Sequence, residues 1–182
     1  MNNEIKAISC ASYYGTGSSA IVDYLSEFDK IKSLSNYEFR FVHDPYGISD
    51  LEYNLVENHN RHNSAHAIKR YKWLVDYYSD HLFVHRYEPF FGHQWKKLSY
   101  FYIHELTDFT YHGAWQYDYI DRGALFEFLF KFPDRILHKT IWRDKPDCNL
   151  EILTKEITYC SRPTEEKFLS STQNYIERLF MA

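Results

Sequence analysis

The sequence predicts an α/β protein in which a small parallel sheet of few strands carries a large helical insertion. Three observations lead to this. A short apolar run from Ile5 to Ala11 passes through a turn holding Gly15 and Gly17 into an amphipathic stretch, the order that opens an α/β unit. A second short run, Tyr37 to Val42 (YEFRFV), reads as another strand. From Ile48 onward the apolar spacing turns helical for a long way.

Taken in order, Ile5 to Ala11 is mixed apolar and bounded by a turn, as a buried parallel strand is. Ser18 to Phe28 places Ala20, Ile21, Tyr24, Leu25 and Phe28 on one helical face. In YEFRFV, Phe39 and Phe41 share a face, and His43-Asp44-Pro45 ends the ladder because proline has no N–H to give it. Leu51, Leu55 and Val56 mark a helix. Ala65 to Tyr78 marks a second, through Ile68, Tyr71, Trp73, Leu74, Val75 and Tyr78. Gln94 to Phe109 forms a third, and Leu125 to Phe132 a further piece whose end Pro133 announces. Glu156 to Tyr159 is a short strand. Ser161 or Thr164 then caps a final helix with Phe168, Ile176, Leu179 and Phe180 on its apolar side. No repeat or long linker divides residues 1–182, so a single α/β domain is expected.

A chain of 182 residues buries roughly 70% of its unfolded surface, enough for a substantial core. The mean hydropathy of −0.55 and the lack of any run near the roughly 20 apolar residues of a spanning helix predict a soluble protein. The start MNNEIKAIS has no signal segment, which makes the cytoplasm the expected compartment. The net charge of −4 gives no overall pull toward nucleic acid or an anionic membrane. Cys10, Cys148 and Cys160 are far apart and odd in number, so they read as reduced thiols and not as a zinc site. The 17 tyrosines and 14 phenylalanines are spread through many segments, which predicts a core and surface built from rings; stacking on a base or sugar is the alternative use.

The glycine turn carries the chemistry. First-turn amides of a helix point back unpaired, and the helix dipole adds partial positive charge there. Gly15 and Gly17 allow N–H groups to converge on an anion, while Thr16, Ser18 and Ser19 add hydroxyls. The expected product is a phosphate or sulfate pocket at Gly15, Thr16, Gly17, Ser18 and Ser19. A turn that uses glycine for geometry and serine for capping is the plainer reading.

The runs YYGTGSSAIVDYLSEF and EFRFVHDPYGISDLE resemble the N-terminal part of bacterial sulfotransferase-like P-loop proteins, including those found with surface-polysaccharide genes. EITYCSRPTEEKFLSSTQNYIERLF is also similar to a later segment of theirs. The resemblance implies a P-loop-type sheet and a donor loop at Gly15 to Ser19. That loop would wrap the 5′-phosphosulfate of 3′-phosphoadenylyl sulfate for transfer to a hydroxyl, a carbohydrate acceptor among the candidates. Two departures stand against it. Gly15 takes the place of the family's loop lysine, and the arginine and serine that grip the 3′-phosphate match no run here; the resemblance then implies either a chain lacking the family's C-terminal half or a degenerate relative that binds without catalysing. The Walker pattern G-x-x-x-x-G-K-[ST] fails too, because Ser18 follows Gly17 where lysine is expected.

His43 and Asp44, at the expected C-terminal end of a strand, are the candidate catalytic pair. His43 would serve as general base and Asp44 would orient it or contact a metal, and Asp-Pro is equally a turn starter. His59, His62 and His66 would share a face of a continuous helix and offer imidazoles to zinc, but the intervening Asn58, Asn60, Asn63 and Ser64 favour a polar loop, and no metal site is assigned. Arg40, inside a predicted strand, should have a partner. Lys69-Arg70-Lys72 reads as a solvated helix face that, with Lys139 and Arg143, is also a candidate for steering an anion. Three functions remain open on these residues. They are a sulfotransferase-like nucleotide-binding protein, a non-catalytic interaction module that holds a partner protein with its aromatic helices, and a small-molecule kinase using ATP and Mg²⁺ with Asp44 as metal ligand.

Overall fold

The computed structural model describes residues 6–8, 10, 13, 15–34, 38–81, 84, 86–113, 123–125, 127–145, 148 and 156–182. They fall into two compact units, Met1–Asp108 with Ser161–Ala182, and Phe109–Cys160. The larger unit holds α1 (Ser18–Ser26), α2 (Ile48–Glu52) running on as a π-helical turn (Tyr53–Glu57), α3 (Arg61–Asp80), α4 (Trp95–Leu106) and α6 (Glu165–Met181). The smaller holds β1 (Phe109–Gly113), a π-helical turn (Glu127–Lys131) leading into α5 (Phe132–Lys139), and β2 (Glu156–Cys160).

The expected P-loop-type parallel sheet is not what forms. Among the described residues the only strands are β1 and β2, paired antiparallel with Phe109 opposite Cys160 and Gly113 opposite Glu156. Of the first predicted strand, Lys6, Ala7, Ile8 and Cys10 are described and lie outside any strand; its other residues fall outside the described set. In the second, Arg40–Val42 is a turn of 3-10 helix. The physical reason is that Phe39 and Phe41 are satisfied by rings and not by neighbouring strands. Phe41 is fully buried with Tyr71 and Trp95 each 5.1 Å away, and Phe39 meets Tyr87 at 5.5 Å and Phe91 at 5.7 Å. A two-residue spacing of phenylalanines satisfies a ring-lined pocket as well as it does a pleat.

Helix α3 is the spine of the larger unit. Its cap explains the Asn-rich approach: the Asn60 side chain accepts from the backbone N–H of His62 at 3.0 Å and of Asn63 at 2.9 Å, so the polar run starts a helix instead of forming the expected loop. Its buried residues Ser64, Ala65, Ala67, Ile68, Tyr71, Leu74, Val75 and Ser79 form one face. Helix α4 buries Trp95, Ser99, Tyr102, Ile103 and Leu106, and ends at Leu106 so that Phe109 joins β1 instead of the helix. Its first turn is capped from a distance, by Glu88 Oε1 accepting from the Lys96 N–H at 2.8 Å. Helix α6 begins where expected, with Thr164 Oγ1 accepting from the Lys167 N–H at 3.2 Å, and buries Phe168, Ser171, Tyr175 and Leu179; Phe180, expected on that side, is exposed. Pro133 stands at the start of α5, not at the end of a helix, since a first-turn N–H has no intrahelical partner to lose.

Rings fill the core. Tyr102 stacks on Tyr175 with centroids 4.7 Å apart, and Tyr71, Tyr87, Trp95 and Phe41 complete the cluster. Two of their hydroxyls are tied between helices: Tyr175 Oη lies 2.6 Å from Ser99 Oγ and Tyr102 Oη 2.7 Å from Thr172 Oγ1. Burial raises the phenols of Tyr71, Tyr102 and Tyr175 well above the usual range, and pushes Tyr87 up to about 12. No helix among the described residues is long and apolar enough to cross a membrane.

Candidate functional site

The glycine turn adopts part of the predicted geometry. Gly15 and Gly17 are both left-handed, with φ of 80° and 89°, and Gly17 is the N-cap of α1. Ser18 and Ser19 open the helix, while Thr16 Oγ1 donates to the Tyr13 carbonyl at 2.7 Å. The parallel strand that would aim this turn at a donor is absent among the described residues, and α1 buries none of its side chains.

His43 and Asp44 lie elsewhere, at the end of the 3-10 turn instead of the end of a strand. Ser49 Oγ is 3.4 Å from His43 Nδ1. Asp44 pairs with Arg40 Nε at 3.5 Å, the partner that arginine was expected to need, and accepts from Tyr78 Oη at 3.2 Å. Arg86 Nη1 donates to the same Tyr78 oxygen at 3.5 Å. Burial first, then the Asp44 carboxylate, raises the Tyr78 phenol above its usual range, against the opposing pull of Arg86. These contacts fasten the segment before Asp44 to α3; they do not join the glycine turn to the proposed catalytic pair. His62 and His66 lie in the first two turns of α3, and no group of three His, Cys, Asp or Glu side chains among the described residues is placed to hold a metal ion.

Asp44 also begins a turn. Its carbonyl accepts from the Gly47 N–H at 2.8 Å, Pro45 takes the second position and Tyr46 the third with φ of 67°, the form of a type II turn. That third position favours glycine, and a side chain there costs on the order of 1 kcal/mol or more. Glycine stands one residue later, where a Cβ would come within 2.0 Å of the Phe41 carbonyl oxygen. The Tyr46 N–H donates to Asp50 Oδ2 at 2.8 Å, which helps to hold the conformation.

The strained turn puts the Tyr46 ring at the surface against α3. It meets Trp73 edge-on at 6.3 Å and lies under the Arg70 guanidinium at 5.7 Å. Trp73 stacks on Tyr77 at 5.6 Å with planes 18° apart, and Tyr77 meets His81 at 4.8 Å. The four-residue spacing of 73, 77 and 81 advances about 6 Å per ring and makes a ladder along the outer side of the helix. Trp73 is 51% exposed, Tyr46 38% and Tyr77 37%. Arg70 is positioned from within the helix, its Nε donating to His66 Nε2 at 3.1 Å.

Sequence reasoning missed this surface by counting Trp73 in the apolar pattern of its helix. The available signal was rotational. At 100° per residue, Trp73 and Tyr77 fall on the side opposite Ile68, Tyr71 and Val75, with Lys69 and Arg70.

The chain matches no protein-family model, no curated protein and no solved structure.

Proposed function

We propose that the chain is a non-catalytic binding protein that holds a partner protein on the outer face of α3, with Tyr46, Trp73 and Tyr77 as the central contacts. The observation that carries this is the half-exposed ring ladder completed by a tyrosine in a left-handed turn. A tyrosine in a backbone conformation that glycine adopts more cheaply sets its ring against Trp73, and strain of this kind concentrates at functional sites. Trp, Tyr and Arg are also the side chains that dominate the energetics of protein interfaces. The ladder stands on a helix whose opposite face is the core, so its rings are presented already ordered and lose little freedom on binding.

The donor-loop reading of Gly15 to Ser19, with 3′-phosphoadenylyl sulfate as cosubstrate, relied on a parallel sheet behind the turn, and without it that reading is not adopted. A photo-cross-linking side chain at position 69, one turn before Trp73, tests the binding reading in cells of the source organism. Adducts that form with Trp73 present and vanish in Trp73→Ala and Tyr77→Ala support it. Adducts indifferent to both substitutions, or identical to those obtained from position 21 on α1, refute it.

A further inference from the structure

We infer that the smaller unit binds an anionic lipid surface through one side of α5, by a chemistry separate from that of the α3 face. Helix α5 buries none of its side chains, and the π-helical turn before it continues its apolar side. Phe128, Leu129, Phe132 and Ile136 are between 45% and 63% exposed, and Phe128 stacks on Phe132 with centroids 5.5 Å apart. Half-exposed side chains of this size present about 100 Å² each, so the four offer about 400 Å². A patch of that size marks an interaction site on a monomer, yet it is only about half of the roughly 800 Å² each partner gives to a standard protein interface. A fluid bilayer sets no such threshold, because its hold on a helix grows with buried apolar area and with charge together.

The charges around the patch select the lipid. At about 100° per residue along α5, Lys139 falls about 20° and Arg135 about 60° from Phe132 around the axis, whereas Asp134 falls about 160° away. Both basic residues are exposed, and among the described residues neither meets a carboxylate; Asp134 sits beside His138 Nε2 at 3.9 Å. Beyond the helix, Arg143 and Lys145 are exposed together with Ile141, and Asp144 stands between the two cations. Apolar side chains bordered by cations on long stems suit a bilayer interface, where the rings enter the acyl boundary and the stems carry their charge up to the anionic headgroups. A protein of net charge −4 has no overall attraction to such a surface, so the pull is local. Helix α1 gives the contrast. It also exposes Ile21 and Tyr24, but its one charged residue is Asp23, so its apolar side lacks that attraction.

Vesicle co-sedimentation with the whole protein tests this. The chain should sediment with vesicles of phosphatidylserine mixed into phosphatidylcholine, far less with phosphatidylcholine alone, and less as salt rises. Each basic side chain near such a surface is worth about fivefold in affinity, so Arg135→Gln combined with Lys139→Gln should lose roughly thirtyfold. Phe132→Asp should abolish binding and Tyr24→Asp on α1 should leave it unchanged, with circular dichroism showing that each variant stays folded; Ile136→Asp replaces Phe132→Asp where the latter unfolds. No binding to either vesicle, equal binding to both, indifference to the glutamine pair or to Phe132→Asp, or an equal loss in Tyr24→Asp would each overturn the inference. A chain that is dimeric without lipid in analytical ultracentrifugation, and that Phe132→Asp makes monomeric, would assign the patch to a second copy and overturn it as well.

Discussion

Raising the pH should unfold the larger unit in a way its buried tyrosines dictate. Tyr71, Tyr87, Tyr102 and Tyr175 are each no more than 2% exposed, and burial raises the phenol of each above its ordinary value. In the unfolded chain the same phenols ionise near pH 10. A raised folded value means that the stability these groups contribute is complete below about pH 10 and is lost as pH climbs toward the folded values. Each tyrosine kept neutral while its unfolded counterpart is ionised removes about 1.4 kcal/mol of stability per pH unit. Four together remove about 5 kcal/mol per unit, against a total stability of roughly 5–15 kcal/mol for a domain of this kind. The alkaline midpoint should therefore fall between about pH 11 and 13. Near-ultraviolet absorbance of tyrosinate, followed together with far-ultraviolet circular dichroism, checks this. A fraction of the tyrosinate signal should appear only as helix is lost, and Tyr175→Phe should reduce the pH slope of stability by about a quarter. Full tyrosinate absorbance with the helical signal intact would show that these phenols ionise in place, and would refute the burial argument.

Three substitutions probe the turn and the rings. Tyr46→Gly should leave stability unchanged or raise it by up to about 1 kcal/mol in urea unfolding, since glycine suits φ of 67°, while partner binding falls. Gly47→Ala should cost about 3 kcal/mol, because the new Cβ meets backbone carbonyl oxygens of Phe41 and Asp44 that cannot move away without opening the turn. Trp95→Ala should cost about 3–5 kcal/mol, whereas Trp73→Ala should cost about 1 kcal/mol or less; equal losses in calorimetry would contradict the assignment of one tryptophan to the core and the other to the surface.

What could be read from the sequence was local. Thr164 has a side chain that bonds the amide just ahead of it, as expected, and the Asp44-Pro45 pair sets a turn within four residues, whereas Asn60, read as part of a polar loop, caps α3 by the same kind of local bond. The buried stripe of α3 follows from a period of 3.6 residues, and β2 appears close to its expected position. Such features depend on bonds or spacings within one or two turns of the chain, and no distant partner is needed to produce them.

What only the tertiary structure decided was which partner each apolar residue would meet. Phe39 and Phe41 carry the alternation of a strand, but Tyr71, Tyr87, Phe91 and Trp95 come from helices and connections far along the chain, and packing against those rings replaces the pairing a sheet would supply. Glu88 reaches back to cap α4, and Phe109 leaves its expected helix because residues 156–160 lie opposite it. The same holds for the candidate site. Trp73 was visible as an aromatic residue in a helix, yet its position outside the core depended on which side of α3 the other helices cover, and its neighbour Tyr46 comes from a turn 27 positions earlier. A one-dimensional pattern specifies which residues seek burial; the burial they obtain depends on surfaces brought together only when the chain folds.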